Sequence, residues 1–156
     1  MILPDVNILV YAHRQDAPDH RRYLDWLVSE VDSDAAFGLS PLVLSGFIRV
    51  VTHPRVFKIP STLSRATMFV EQLRERPNCI EVTPGARHWA IFLRLCSEAG
   101  AKGNLVPDAY LAAMAIESGC EWVRRTVAPS ARLCSRLTRA RNVRAPATDA
   151  REPRGR

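Results

Sequence analysis

"GNLVPDAYLAAMAIESGCEWV", residues 103–123, decides how the chain is read. Pro107 and Asp108 open an alanine-rich run that reads as a helix to about Ser118, with Gly119 in the position that ends helices after their last turn. "EWVRRT" after it is strand-like. Leu111, Ala112 and Ala115 stand at i+3, i+4 and i+7 from Asp108, so its carboxylate shares a face with side chains that seek the core. A charge aimed there is costly unless something compensates it. The ordinary use of such a residue is a helix cap or a partner for the helix dipole.

Reading toward the N-terminus, strand-like and helical segments alternate. "MILPD" is a short apolar run stopped at Pro4-Asp5, and "NILVYAH" starts a helix. Tyr23, Trp26, Leu27 and Val31 keep helical spacing. "AAFGLS" reads as a second strand, and Pro41 opens the helix "PLVLSGFIRVVTH". Ala66, Phe69, Val70 and Leu73 make one helical stripe; Trp89, Phe92, Leu93 and Cys96 make another, with the strand "CIEVTPG" between them. Alternation of this kind predicts an α/β fold: a parallel sheet with helices on both faces.

Ligands of such sheets bind beyond the carboxyl ends of the strands, where strand order reverses. Asp5 follows the first strand and Asp108 faces inward from the last helix, so both are expected on one cleft. Two carboxylates held together repel, and a hard cation such as Mg²⁺ takes one or two carboxylates plus waters. Asp5 alone is also compatible with an Asx turn, and Asn7 with a helix cap. Glu117, nine residues after Asp108, falls on the opposite helix face and is expected to pair with a basic group or solvent. His13, His20, His53 and His88 share no ligand spacing and read as surface or packing residues. Trp26 and Trp89 read as core.

Composition bounds these expectations. With 156 residues, 47% of them hydrophobic, the chain suits one globular domain. No run approaches a membrane span and no secretory signal is visible, so a cytoplasmic location is expected. Cys79, Cys96, Cys120 and Cys134 show no metal-ligand spacing and read as core thiols. The net charge of +6 is unevenly placed: residues 124–156 hold ten arginines against Asp149 and Glu152, while residues 1–123 are slightly acidic. The basic end has no aromatics after Trp122, so a pure RNA-binding module would have phosphate contacts without a stacking platform.

Taken in order, "LPDVNILVYAH", "PLVLSGFIRVVTHPRVF", "PGARHWAIFLRL" and "GNLVPDAYLAAMAIESGCEWV" closely resemble PIN-domain toxins of the VapC type, over residues 1 to about 123. The resemblance implies a single PIN-like domain over residues 1–126; the loss of periodicity after Thr126 and the basic charge of the Arg/Ala/Pro-rich divergent tail over 127–156 predict that this tail packs poorly. It implies a Mg²⁺-dependent ribonuclease, with Mn²⁺ as the alternative ion, neutralised by a cognate antitoxin; homodimers are common in the family. Asp5 and Asp108 are then metal-binding catalytic carboxylates, and Asn7 a neighbour that orients Asp5 or water. Two departures accompany it. Gly46 stands near a position that often carries glutamate. After the last strand, where the family shows a Ser/Thr-x-Asp motif, this chain has no acid before Asp149, which points to a change of reading frame near Val123 or to divergence. The runner-up reading is a catalytically impaired PIN protein that binds and titrates an antitoxin.

Overall fold

A computed structural model of the chain describes residues 1–124. The tail expected to pack poorly, and Cys134 within it, lie outside the described residues. Ten elements alternate along the chain: β1 (Ile2–Pro4), α1 (Val6–His13), α2 (His20–Val31), β2 (Phe37–Leu39), α3 (Pro41–Val51), α4 (Leu63–Arg74), β3 (Cys79–Glu81), α5 (His88–Ala99), α6 (Leu105–Glu117) and β4 (Glu121–Val123).

The four strands form one parallel sheet in the order β3-β2-β1-β4. From β1 the chain winds outward through β2 to β3, then returns past its start to place β4 on the far side of β1. Right-handed crossovers put helices on opposite faces for the two winding directions. Accordingly α1 packs on α2 and α3, α3 on α4, and α5 on α6. Strand order therefore reverses between β1 and β4.

Local chemistry explains most of the helix boundaries. Asp5 caps α1 by accepting from the Val6 amide. Ser40 caps α3 through the Leu42 amide with Pro41 just inside, and Thr62 caps α4 through the Arg65 amide. Helix α6 ends as its sequence predicts: Gly119 adopts φ 65°, the Gly119 amide donates to the Ile116 carbonyl and the Cys120 amide to the Ala115 carbonyl. That double closure is the Schellman arrangement. It turns the chain straight into β4.

The core lies on both faces of β1 and β2, with Leu3, Phe37, Leu39 and Trp122 buried between the helical layers. Helix α6 is buried nearly all round through Ala109, Leu111, Ala112, Ala113, Met114 and Ala115. Small side chains let it approach the sheet closely.

Helix α5 departs from the expected stripe. Its buried positions are His88, Phe92 and Leu95, while Trp89 is 60% exposed and Leu93 half exposed. The ring of His88 binds the Tyr110 carbonyl at 3.0 Å and packs on the Tyr110 ring, which rotates the helix and turns Trp89 outward. Trp26 is partly buried against the core. Cys79, Cys96 and Cys120 are free thiols at intermediate depth rather than fully buried.

Gly38 marks the tightest point of the sheet. A Cβ there would meet Val82 Cγ2 at 2.7 Å and the Ile2 carbonyl oxygen at 3.2 Å. Gly38→Ala is expected to cost roughly 1–3 kcal/mol through overpacking. Urea unfolding checks this: the midpoint should fall with the slope unchanged.

Candidate functional site

Asp5 leaves β1 at the carboxyl edge of the sheet, beside β4. The parallel register pairs Pro4 with Val123, and the Asp5 amide donates to the Val123 carbonyl at 2.8 Å. The residue is buried, at 8% exposure. Its Oδ1 accepts from the Val6 amide at 2.7 Å and its Oδ2 from the Asn7 side-chain amide at 3.3 Å. These two bonds fix its orientation.

Asp108 sits in the first turn of α6, which starts at Leu105, two residues earlier than its proline suggests. Pro107 is tolerated there because the first-turn amides have no partner within the helix. Asn104, not Asp108, holds the cap position, and no side chain caps the helix. Helix capping therefore does not account for Asp108. Its Oδ2 instead accepts from Arg124 Nη1 at 3.2 Å.

The two carboxylates interact. Burial is the largest influence on Asp5 and pushes its carboxyl above the ordinary aspartate value; the Asp108 charge pushes the same way, while Val6, Asn7 and Arg124 oppose. Burial also raises Asp108, against the attraction of Arg124. A groove of about 310 Å³ is lined by Val6 and Pro107, the chain neighbours of the two acids, with Gly46, Arg49 and Leu111 among others; neither carboxylate lines it. Gly46 borders this groove, and a Cβ there would stand 3.0 Å from Val6 Cγ2.

Arg124 escaped the sequence reading, which counted it with the basic tail. It is buried, with its side chain 10% exposed, and its guanidinium carbon lies 5.0 Å from the Trp122 ring centre. The signal was positional: the residue after the strand that flanks β1 must stand beside Asp5.

Glu117 faces away, but its partners are not basic groups. It accepts from the Gly85 amide at 2.7 Å and the Arg87 amide at 2.8 Å, tying the turn before α5 to the end of α6. Backbone donors at a helix start take a carboxylate as readily as a cation does. Among the described residues no group of three or more His, Cys, Asp or Glu side chains gathers as a metal cluster. No helix among them is long and apolar enough to cross a membrane.

A parallel α/β domain that brings two coupled carboxylates to its switch point defines a class of sheet proteins with an acidic site at the carboxyl edge. The PIN domain family matches this chain over residues 2–126. Over 120 residues the chain is 42% identical to the ribonuclease VapC25 of Mycobacterium tuberculosis, covering 77% of this chain and 84% of that protein. It is 43% identical over 123 residues to ribonuclease VapC43 of the same species, covering 79% and 84%. The chain belongs to the PIN-domain family and is of the VapC type. Two solved structures share its fold. FitAcB from Neisseria gonorrhoeae superposes with a TM-score of 0.56 at 17% identity, over 86% of this chain and 94% of that one. VapBC2 from Rickettsia felis, solved with a DNA fragment from their promoter, gives 0.55 at 20% identity, over 81% and 89%.

The raised carboxyls carry a pH signature. Between the ordinary value of 3.8 and the raised folded value, the folded chain holds more protons than the unfolded one. Each group's contribution to stability therefore falls as pH rises through that window and is constant above it. Asp5→Asn removes one such penalty and keeps an oxygen to cap α1. The variant is expected to melt above wild type at pH 7, with the difference shrinking as pH falls from the raised value toward 3.8 and gone below it. Thermal melts followed by circular dichroism from pH 3 to 7 measure it.

Proposed function

We propose that this chain is an endoribonuclease toxin of the toxin–antitoxin type, acting with a divalent cation, Mg²⁺ or Mn²⁺, held by Asp5 and Asp108. The observation that carries the reading is the placement of two carboxylates, Asp5 buried and Asp108 half-buried, at the switch point of the sheet with Arg124 bonded to one of them. The relatives of the VapC type named above are ribonucleases, and PIN-domain relatedness implies a divalent ion.

The donor chemistry fits such an ion. Both groups are hard oxygen donors, and each Asp5 oxygen takes one protein hydrogen bond, leaving lone-pair capacity for a ligand. Two carboxylates with waters completing the shell suit Mg²⁺. When bound, the ion supplies a lowered pKa for a coordinated water and positive charge for a scissile phosphate. The chain's own residues do the rest. Val6 and Asn7 hold Asp5 in one orientation, the role proposed for Asn7, so that no reorganisation is needed as charge develops. Arg49 and the groove lined by Val6 and Pro107 offer a path for the RNA backbone. In hydrolysis the water oxygen bonds to phosphorus, the bond to the leaving ribose oxygen breaks, and that oxygen receives the proton. The expected partner is a cognate antitoxin, and the expected compartment the cytoplasm.

A second reading, a catalytically impaired protein that binds and titrates an antitoxin, is favoured by one observation: Arg124 bonds Asp108 where a further acid would follow the last strand.

Incubation of the purified chain with single-stranded RNA separates the two. Weak Mg²⁺-dependent cleavage is expected, stopped by EDTA, and falling to about 1% or less of wild type in Asp5→Asn or Asp108→Asn. Grafting a Thr-x-Asp segment after Val123 should raise it. Cleavage indifferent to EDTA and to both substitutions overturns the metal reading; no cleavage by the chain as written, with cleavage by the grafted chain, favours the second.

A further inference from the structure

We infer that Arg124 is a built-in counter-cation of the carboxylate pair, so that a divalent ion at Asp108 competes with the chain's own guanidinium. The inference rests on the cation reading of Asp5 and Asp108.

Three features hold Arg124 in place. Its backbone follows β4, whose register against β1 is fixed by the pairing of Pro4 with Val123. Its guanidinium carbon lies 5.0 Å from the ring centre of Trp122, which is fully buried, so a cation–π contact braces the side chain from below. Its Nη1 donates to Asp108 Oδ2 at 3.2 Å, from a side chain that is 10% exposed to one that is 38% exposed, so solvent reaches the pair from the Asp108 side. The charge also acts on Asp5. One residue therefore answers both acids.

Two carboxylates and one guanidinium leave a local charge of −1 in place of −2. A dication entering that space meets a weaker field, shares Asp108 Oδ2 with an existing hydrogen bond, and is repelled by the arginine while the side chain stays in place. Removal of Arg124 should therefore strengthen divalent binding, the reverse of what loss of a ligand does.

Direct Mn²⁺ binding by the full chain tests this without reference to activity. Free Mn²⁺ is followed by electron paramagnetic resonance in wild type, Arg124→Gln and Asp108→Asn, with a melting curve for each. One Mn²⁺ per chain is expected in Arg124→Gln, bound about 10-fold or more tighter than in wild type, and binding should be lost in the Asp108→Asn/Arg124→Gln double variant. Arg124→Met, which keeps a flexible stem over Trp122, gives the same comparison if the glutamine variant melts early. Equal Mn²⁺ affinity in wild type and both Arg124 variants overturns the counter-cation role while leaving the cation site standing. Absence of binding in every variant overturns both.

Discussion

The pairing of β1 with β4 is the constraint on which the site depends. One hydrogen bond, from the Asp5 amide to the Val123 carbonyl, joins the first strand to the last at the carboxyl edge of the sheet. Given that pairing, α6 must run back from the carboxyl edge toward the amino edge before β4 can run forward. Its first turn then has to lie beside Asp5. Asp108 and Arg124 flank that helix and strand, so one register brings all three charged groups together without help from any loop.

The groups so gathered are in tension. A buried carboxylate and a half-buried one stand on the same edge, each held above its ordinary pKa, and the surrounding bonds from Val6, Asn7 and Arg124 offset only part of the penalty. A fold selected for stability alone would place apolar or neutral side chains there. Sites that break local rules in this way are where function concentrates, because the strain is relieved when a ligand of the right charge arrives. In this chain part of that relief is supplied internally.

Much of this was legible in the sequence because it follows from periodicity and chain order. Pro4-Asp5 after an apolar run, Pro41 at a helix start, and Gly119 before "EWV" each marked a boundary that the structure keeps to within a residue or two. The inward face of Asp108 followed from its spacing to Leu111 and Ala112. What failed did so where tertiary contacts override pattern. Trp89 was read as core from its helical register with Phe92, Leu93 and Cys96, yet His88, a polar residue that periodicity ignores, found a carbonyl partner and claimed the buried face. Glu117 was assigned the right direction but the wrong kind of partner, since backbone amides leave no mark in a sequence. Arg124 was hidden for a different reason: it reads as the first residue of a basic tail, and only strand register distinguishes it from the arginines that follow.

The same β1–β4 pairing has a consequence for how the molecule comes into being. The two strands it joins are separated by nearly the whole described chain, so it is the longest loop to close and among the slowest contacts to form. A chain emerging from the ribosome can assemble β1, β2 and β3 with their helices first, while the other side of β1 stays unpaired. Until Val123 arrives, that open strand, bearing Ile2 and Leu3, is an exposed edge able to recruit another strand. Through that interval the nascent protein has no acidic site at all, and the last step that completes the sheet is also the one that creates it.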